Sequence, residues 1–156
     1  MRIAVALVLC LSLSTTASAD AKTNFEEAWA RWQSLGITRY SFIYQDEDGG
    51  LISPRCGGAL IRIGVVSGKA IQPIVVQGTR HCPTGTRGKS IDVEVPNSID
   101  TLFDRMRRWV YDPPTKVELE VTYDSEYGLP LRWRAVKSEI TDSDEGFAIT
   151  NFQKSK

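Results

Sequence analysis

The feature that most constrains this chain is a strict two-residue alternation running from Val117 to Ala135, interrupted once. In "VELEVTY", Val117, Leu119, Val121 and Tyr123 fall on one side, and Glu118, Glu120 and Thr122 on the other. "LPLRWRAVK" answers with Leu131, Trp133 and Ala135 against Arg132 and Arg134. Alternation of this kind marks strands buried on one face. If Tyr123 pairs with Leu131, Val121 meets Trp133 and Glu120 meets Arg134, a register that sets apolar against apolar and acid against base. The basic stripe is thereby explained as sheet surface. The intervening "DSEYGL" carries turn chemistry, with Asp124 able to bond local backbone, Gly128 free to take a positive φ, and Pro130 fixing its own. Two readings stand for this stretch: a structural hairpin whose Tyr123 and Tyr127 roof the core, or a binding loop.

Two amphipathic helices are expected. "TNFEEAWARWQSLG" places Phe25, Ala28, Trp29, Trp32 and Leu35 on one stripe, with Thr23 or Asn24 as the cap and Gly36 as the stop. The tryptophans read as cover for a sheet, with ligand stacking as the other reading. "NSIDTLFDRMRRWV" places Ile99, Leu102, Phe103, Met106, Trp109 and Val110 together, capped by Asn97 or Ser98. Arg105, Arg107 and Arg108 are expected on a solvated face near the end of the helix, where they oppose its dipole, or against an anionic partner. "RYSFIYQ", "GALIRIGVV" and "AIQPIVV" read as strands between these helices, the last two joined at "SGK". Pro73 lacks an N–H, so its strand belongs at an edge or is interrupted. "EGFAITNF" is the last strand. Helix plus three strands therefore occurs twice, which predicts an α+β fold with both helices on one face of an antiparallel sheet, resembling cystatin-like arrangements in outline.

The first residues set the compartment. Arg2, the apolar "IAVALVLCLSLS" and the small residues Ala17 and Ala19 follow the order of a secretory signal peptide, with cleavage before Asp20. Leu9 stands where a lipoprotein signal needs a small residue before Cys10, so a periplasmic or secreted product is expected, with residues 20–156 forming one domain. Removal of Arg2 leaves 19 − 1 = 18 basic groups against 19 acidic ones. That balance argues against a nucleic-acid partner. No later apolar run is long enough for a transmembrane segment.

Cys56 and Cys82 remain after processing, and in an oxidising compartment they are expected to form a disulfide. Closing a loop of roughly 25 residues stabilises by about 3–4 kcal/mol in the chain-entropy model. The competing reading makes Cys82 a nucleophile beside His81. With one histidine, no nucleophile elbow and no nucleotide fingerprint, neither a catalytic group, a metal site nor a cofactor is assigned. Asp142, Asp144 and Glu145 lack the spacing of a calcium loop and read as a turn. The Gly- and Thr-rich loop "QGTRHCPTGTRGKS" offers Arg80, His81, Arg87 and Lys89 as a contact surface for an acidic partner.

"YDSEYGLP", preceded by "SIDTLFDRM" and followed by "DSDEGFAITNF", resembles an uncharacterised family of exported bacterial proteins, periplasmic or lipid-anchored, with a Tyr-Asp-x-x-Tyr-Gly-x-Pro motif. Here that motif is Tyr123, Asp124, Tyr127, Gly128 and Pro130. The resemblance implies an envelope location and no established activity. The expected function is a non-enzymatic envelope module that binds another component, for example a protein. The rival is a small hydrolase or ligand binder using the Tyr123–Pro130 hairpin and the Arg80–Lys89 loop. Oligomeric state is not legible in the sequence.

Overall fold

The computed structural model describes residues 16–47, 56–91, 93–114, 117–137 and 144–155. It holds two helices and one antiparallel sheet of six strands. In chain order these are α1 (Thr16–Ser34), β1 (Arg39–Asp46), β2 (Leu60–Val66), β3 (Lys69–Gln77), α2 (Ile99–Tyr111), β4 (Val117–Tyr123), β5 (Pro130–Lys137) and β6 (Glu145–Lys154). A single 3-10 turn, Gly88–Ser90, lies between β3 and α2. The expected repeat of helix and three strands is thus present.

Spatial order in the sheet is β3-β2-β1-β6-β5-β4. Each half is a meander, and the halves join where the first strand of one, β1, pairs with the last strand of the other, β6. Both helices lie on one face. Trp32 of α1 meets Tyr40 edge-on at 5.4 Å, and Trp109 of α2 meets Trp133 at 6.1 Å. Phe103 ties the helices together through Phe25 at 5.5 Å and Trp29 at 4.8 Å. Tyr40, Phe42, Tyr44, Ile61, Ile63, Val75, Trp133, Phe147 and Ile149 form the buried floor beneath them. Each large side chain sealed here contributes about 1.5–3 kcal/mol.

Local chemistry explains most boundaries. Ser98 caps α2 by accepting from the Thr101 N–H, and the Thr101 hydroxyl oxygen accepts in turn from the Ser98 N–H. Ser67 and Gly68 both take positive φ in the β2–β3 hairpin, the geometry that suits the twist of paired strands. Pro73 does sit in an edge strand, and beside it Gln72, at φ 42°, bulges the β2–β3 ladder. Along β4 and β5, Val121 pairs with Trp133 and Glu120 with Arg134, as the alternation predicts.

Three expectations need correction. Tyr123 pairs with Pro130 rather than Leu131, because the register slips by one residue after Thr122. α1 begins at Thr16, before Thr23 and Asn24, so neither is its cap. Leu35 lies past the end of the helix and is 40% exposed, outside the core stripe.

Gly128 shows what fixes the end of the hairpin. It has φ 77°, and a Cβ there would collide with the Ala28 carbonyl oxygen of α1. Arg31 of α1 also donates to the Ser125 carbonyl, so helix and turn are pressed backbone to backbone. Gly128→Ala should therefore lower unfolding free energy by about 3 kcal/mol, combining positive-φ strain with overpacking. Gly85→Ala, at φ 93° in open space, should cost only about 1 kcal/mol. Denaturant titration of the two variants checks the difference; equal losses would show that contact with α1 is unimportant.

Candidate functional site

The β4–β5 connection is built from its own backbone. Asp124 Oδ1 accepts from the N–H groups of Glu126 at 3.0 Å and Tyr127 at 2.6 Å. The Asp124 N–H donates to Leu129 O, and the Gly128 N–H donates to Asp124 O, at 2.8 and 2.9 Å. Tyr127 packs on Phe152 at 5.1 Å, and Tyr123 stacks over Phe103 at 6.4 Å. The backbone of the turn and the rings of both tyrosines are therefore engaged in structure. A shallow recess of about 240 Å³ lies beside it, lined by residues that include Asp124, Tyr127 and Phe152.

The basic loop lies elsewhere. Cys56 and Cys82 are joined, with their Cα atoms 4.9 Å apart, and both are buried. This removes the reading of Cys82 as a free nucleophile next to His81. From the disulfide the chain runs back along β3. The Gly85 N–H donates to Val75 O at 2.9 Å, the Val75 N–H donates to Thr86 O at 3.0 Å, and Arg87 bridges Ile74. Arg80, His81, Arg87 and Lys89 are exposed. His81 and Lys89 border a cavity of about 440 Å³ with the disulfide, Pro83, Thr86 and Ser90; Arg80 and Arg87 do not line it.

Sheet order separates these two places. The hairpin follows β4 and the basic loop follows β3, the two outermost strands. Five interstrand steps of about 4.8 Å put them about 24 Å apart across the sheet. Tyr123, Asp124 and Tyr127 come together, and so do His81 and the disulfide, but the two sets do not share a cleft.

A third cluster was not singled out from sequence. Arg105, expected on a solvated face, turns inward: its side chain is 17% exposed and reaches Tyr44 Oη at 3.1 Å and Asp46 Oδ1 at 3.6 Å. Tyr44 in turn donates to Asp46 Oδ1 at 3.1 Å. A groove of about 430 Å³ opens above, bordered by Glu94, Thr101, Asp104, Arg105, Arg108 and Glu145. Its cations are largely occupied, since Arg108 grips both oxygens of Glu145 at 2.9 and 2.7 Å. One sequence signal could have found the cluster. Asp46 continues the inward phase of Tyr40, Phe42 and Tyr44, which places an acid on the buried side of β1. Asp144, from the proposed turn, pairs with Arg134 at 3.3 Å, while Asp142 lies outside the described residues.

Burial leaves its mark on the tyrosines. It pushes the Tyr40 phenol up to about 12, with the nearby Asp100 adding to the shift. Tyr44 is raised by burial first and by Asp46 second, and Tyr123 by burial alone. Each raised phenol keeps its proton in the fold at a pH where the unfolded chain has lost it. Stability from these groups is complete below about pH 10 and falls as pH rises toward 12, by about 1.4 kcal/mol per unit for each group. Denaturation midpoints should hold steady to pH 9 and drop steeply by pH 11.5, and Tyr40→Phe should soften the drop. A midpoint that ignored alkaline pH would contradict the burial assigned to these rings.

A model for a family of unknown function (DUF6174) matches residues 24–154. Among curated proteins, none matches the chain.

Proposed function

The chain belongs to the DUF6174 family of unknown function, and from that premise we propose that it is an exported, non-enzymatic module that docks a protein of the cell envelope. The observation carrying this reading is the asymmetry of the sheet. One face bears both helices and the aromatic core. The other bears exposed Arg62, Ile71, Glu118, Glu120, Thr122 and Arg132, with no described helix over it. Such a face, open and mixed in charge, suits a protein surface better than a small molecule. The rival hydrolase or ligand binder needs the Tyr123–Pro130 hairpin and the Arg80–Lys89 loop in one cleft, and their positions at opposite edges weigh against it.

Export is supported by the Cys56–Cys82 bond, which suits an oxidising compartment. The exported protein should therefore have a mass that begins at Asp20 and carries both thiols blocked. A mass that retained residues 1–19, or two free thiols, would remove this part of the proposal.

Docking is checked with a photoreactive amino acid placed at Arg62 or Arg132 on the open face and, as control, at Arg107 on α2. In the native envelope the sheet positions should yield one discrete adduct that the helix position does not. Equal adducts from all three positions, or none from the sheet, would sink the docking reading.

A further inference from the structure

The two outer strands of the sheet are treated very differently. β3 is closed to further pairing: Pro73 removes a donor, Gln72 bulges the strand, and the segment from Gly85 to Arg87 bonds along its outer side. β4 has none of these devices. It pairs with β5 without a break from Val117 to Thr122 and, among the described residues, has no backbone partner on its other side. Alternate N–H and C=O groups of β4 therefore face outward in a regular row. The apolar side chains beside that row are also incompletely covered. Val117, Leu119 and Val121 are half-buried, whereas Trp133 and Ala135, one strand further in, are fully buried.

The repeat indicates what this edge can do. β1 occupies in the first unit the place of β4 in the second, and the corresponding edge of β1 takes a strand, β6. Charge then restricts the occupant. Glu118 and Glu120 point to the open face, and the Glu120 side chain is 58% exposed. Opposite Glu118 on β5 stands Val136, and opposite Glu120 stands Arg134 at 3.9 Å. A second copy fits badly, because antiparallel pairings of β4 with itself centred on Leu119 or Glu120 set glutamate against glutamate. β5 shows the fitting pattern, with arginines outward and apolar residues inward.

We propose that β4 is a strand-addition site that takes an extended segment of a partner protein in which lysine or arginine alternates with apolar residues. This rests on the docking reading and specifies its edge. Backbone hydrogen bonds would supply much of the affinity, and Glu118 and Glu120 would select the basic pattern. Salt should weaken the contact.

The probe is an acetylated, amidated heptapeptide alternating lysine and valine, added to the processed protein. Amide-exchange protection should appear along Val117–Tyr123, and a glutamate–valine peptide should not bind. Glu118→Lys with Glu120→Lys should weaken the lysine peptide by about tenfold or more and admit the glutamate peptide; an unchanged melting temperature shows that the variant folds. N-methylation of the lysines in one peptide and of the valines in another separates strand pairing from charge attraction, since only one set of N–H groups can face β4. One of the two should lose binding and the other keep it. No binding, protection elsewhere, indifference to charge reversal, or equal binding of both N-methylated peptides would overturn the proposal. So would a concentration-dependent dimer protected at β4, which would assign the edge to a second copy. If the photoreactive positions still give their adduct while the peptides fail, docking survives and this edge is not its site.

Discussion

The pairing of β1 with β6 is the constraint on which the structure depends. Residues 39–46 and 145–154 are brought together from opposite ends of the described chain. Without that ladder each half is a three-stranded meander with a helix and an aromatic face only partly covered. With it, Tyr44 lies against Phe147, and Phe152 closes over Tyr40. The join is not perfectly regular. Asn151 takes φ 50° where the ladder shifts between Ser41 and Ile43, so β6 bends as it passes β1 and carries Phe152 toward Trp32 and Tyr127.

Around this join, polar groups are placed where they cost least. Tyr40 accepts the Ile99 N–H at 2.9 Å, so an orphan donor at the start of α2 is met from the sheet. Asp46 is buried, yet Tyr44 and Arg105 share it between strand and helix. Removing one member of such a set strands the others, whereas the exposed pairs on the open face, such as Glu47 with Arg132 at 3.0 Å, contribute little. The Tyr123 hydroxyl and the Trp133 indole N–H are exceptions: both are buried and have no hydrogen-bond partner among the described residues.

Much of the fold was legible because it rests on periodicity. The stripes of both helices, the alternation of β4 and β5 and the doubled helix-plus-three-strand pattern are properties of neighbouring residues. What could not be read depends on residues far apart. Sheet order follows from how two meanders meet, which no local pattern encodes. The slip at Tyr123 comes where the turn around Gly128 lies against the α1 backbone, a contact between residues distant in the chain. Arg105 looked like its neighbours Arg107 and Arg108 because its partner, Asp46, comes from a strand 59 positions earlier in the chain (105 − 46). The candidate loops were found as loops, but their separation by the full width of the sheet was not visible until the strands had an order.

The position of β6 has a kinetic consequence. It is the last of the six strands to be synthesised, and it fills the centre of the sheet rather than an edge. Until it arrives, the two meanders cannot merge, and β1 presents an unsatisfied ladder. A chain whose closing contact is its most non-local one folds late and slowly compared with one closed by local turns. The six-stranded sheet therefore cannot close on a partly synthesised chain: residues 145–154 must be available before the two meanders become one core.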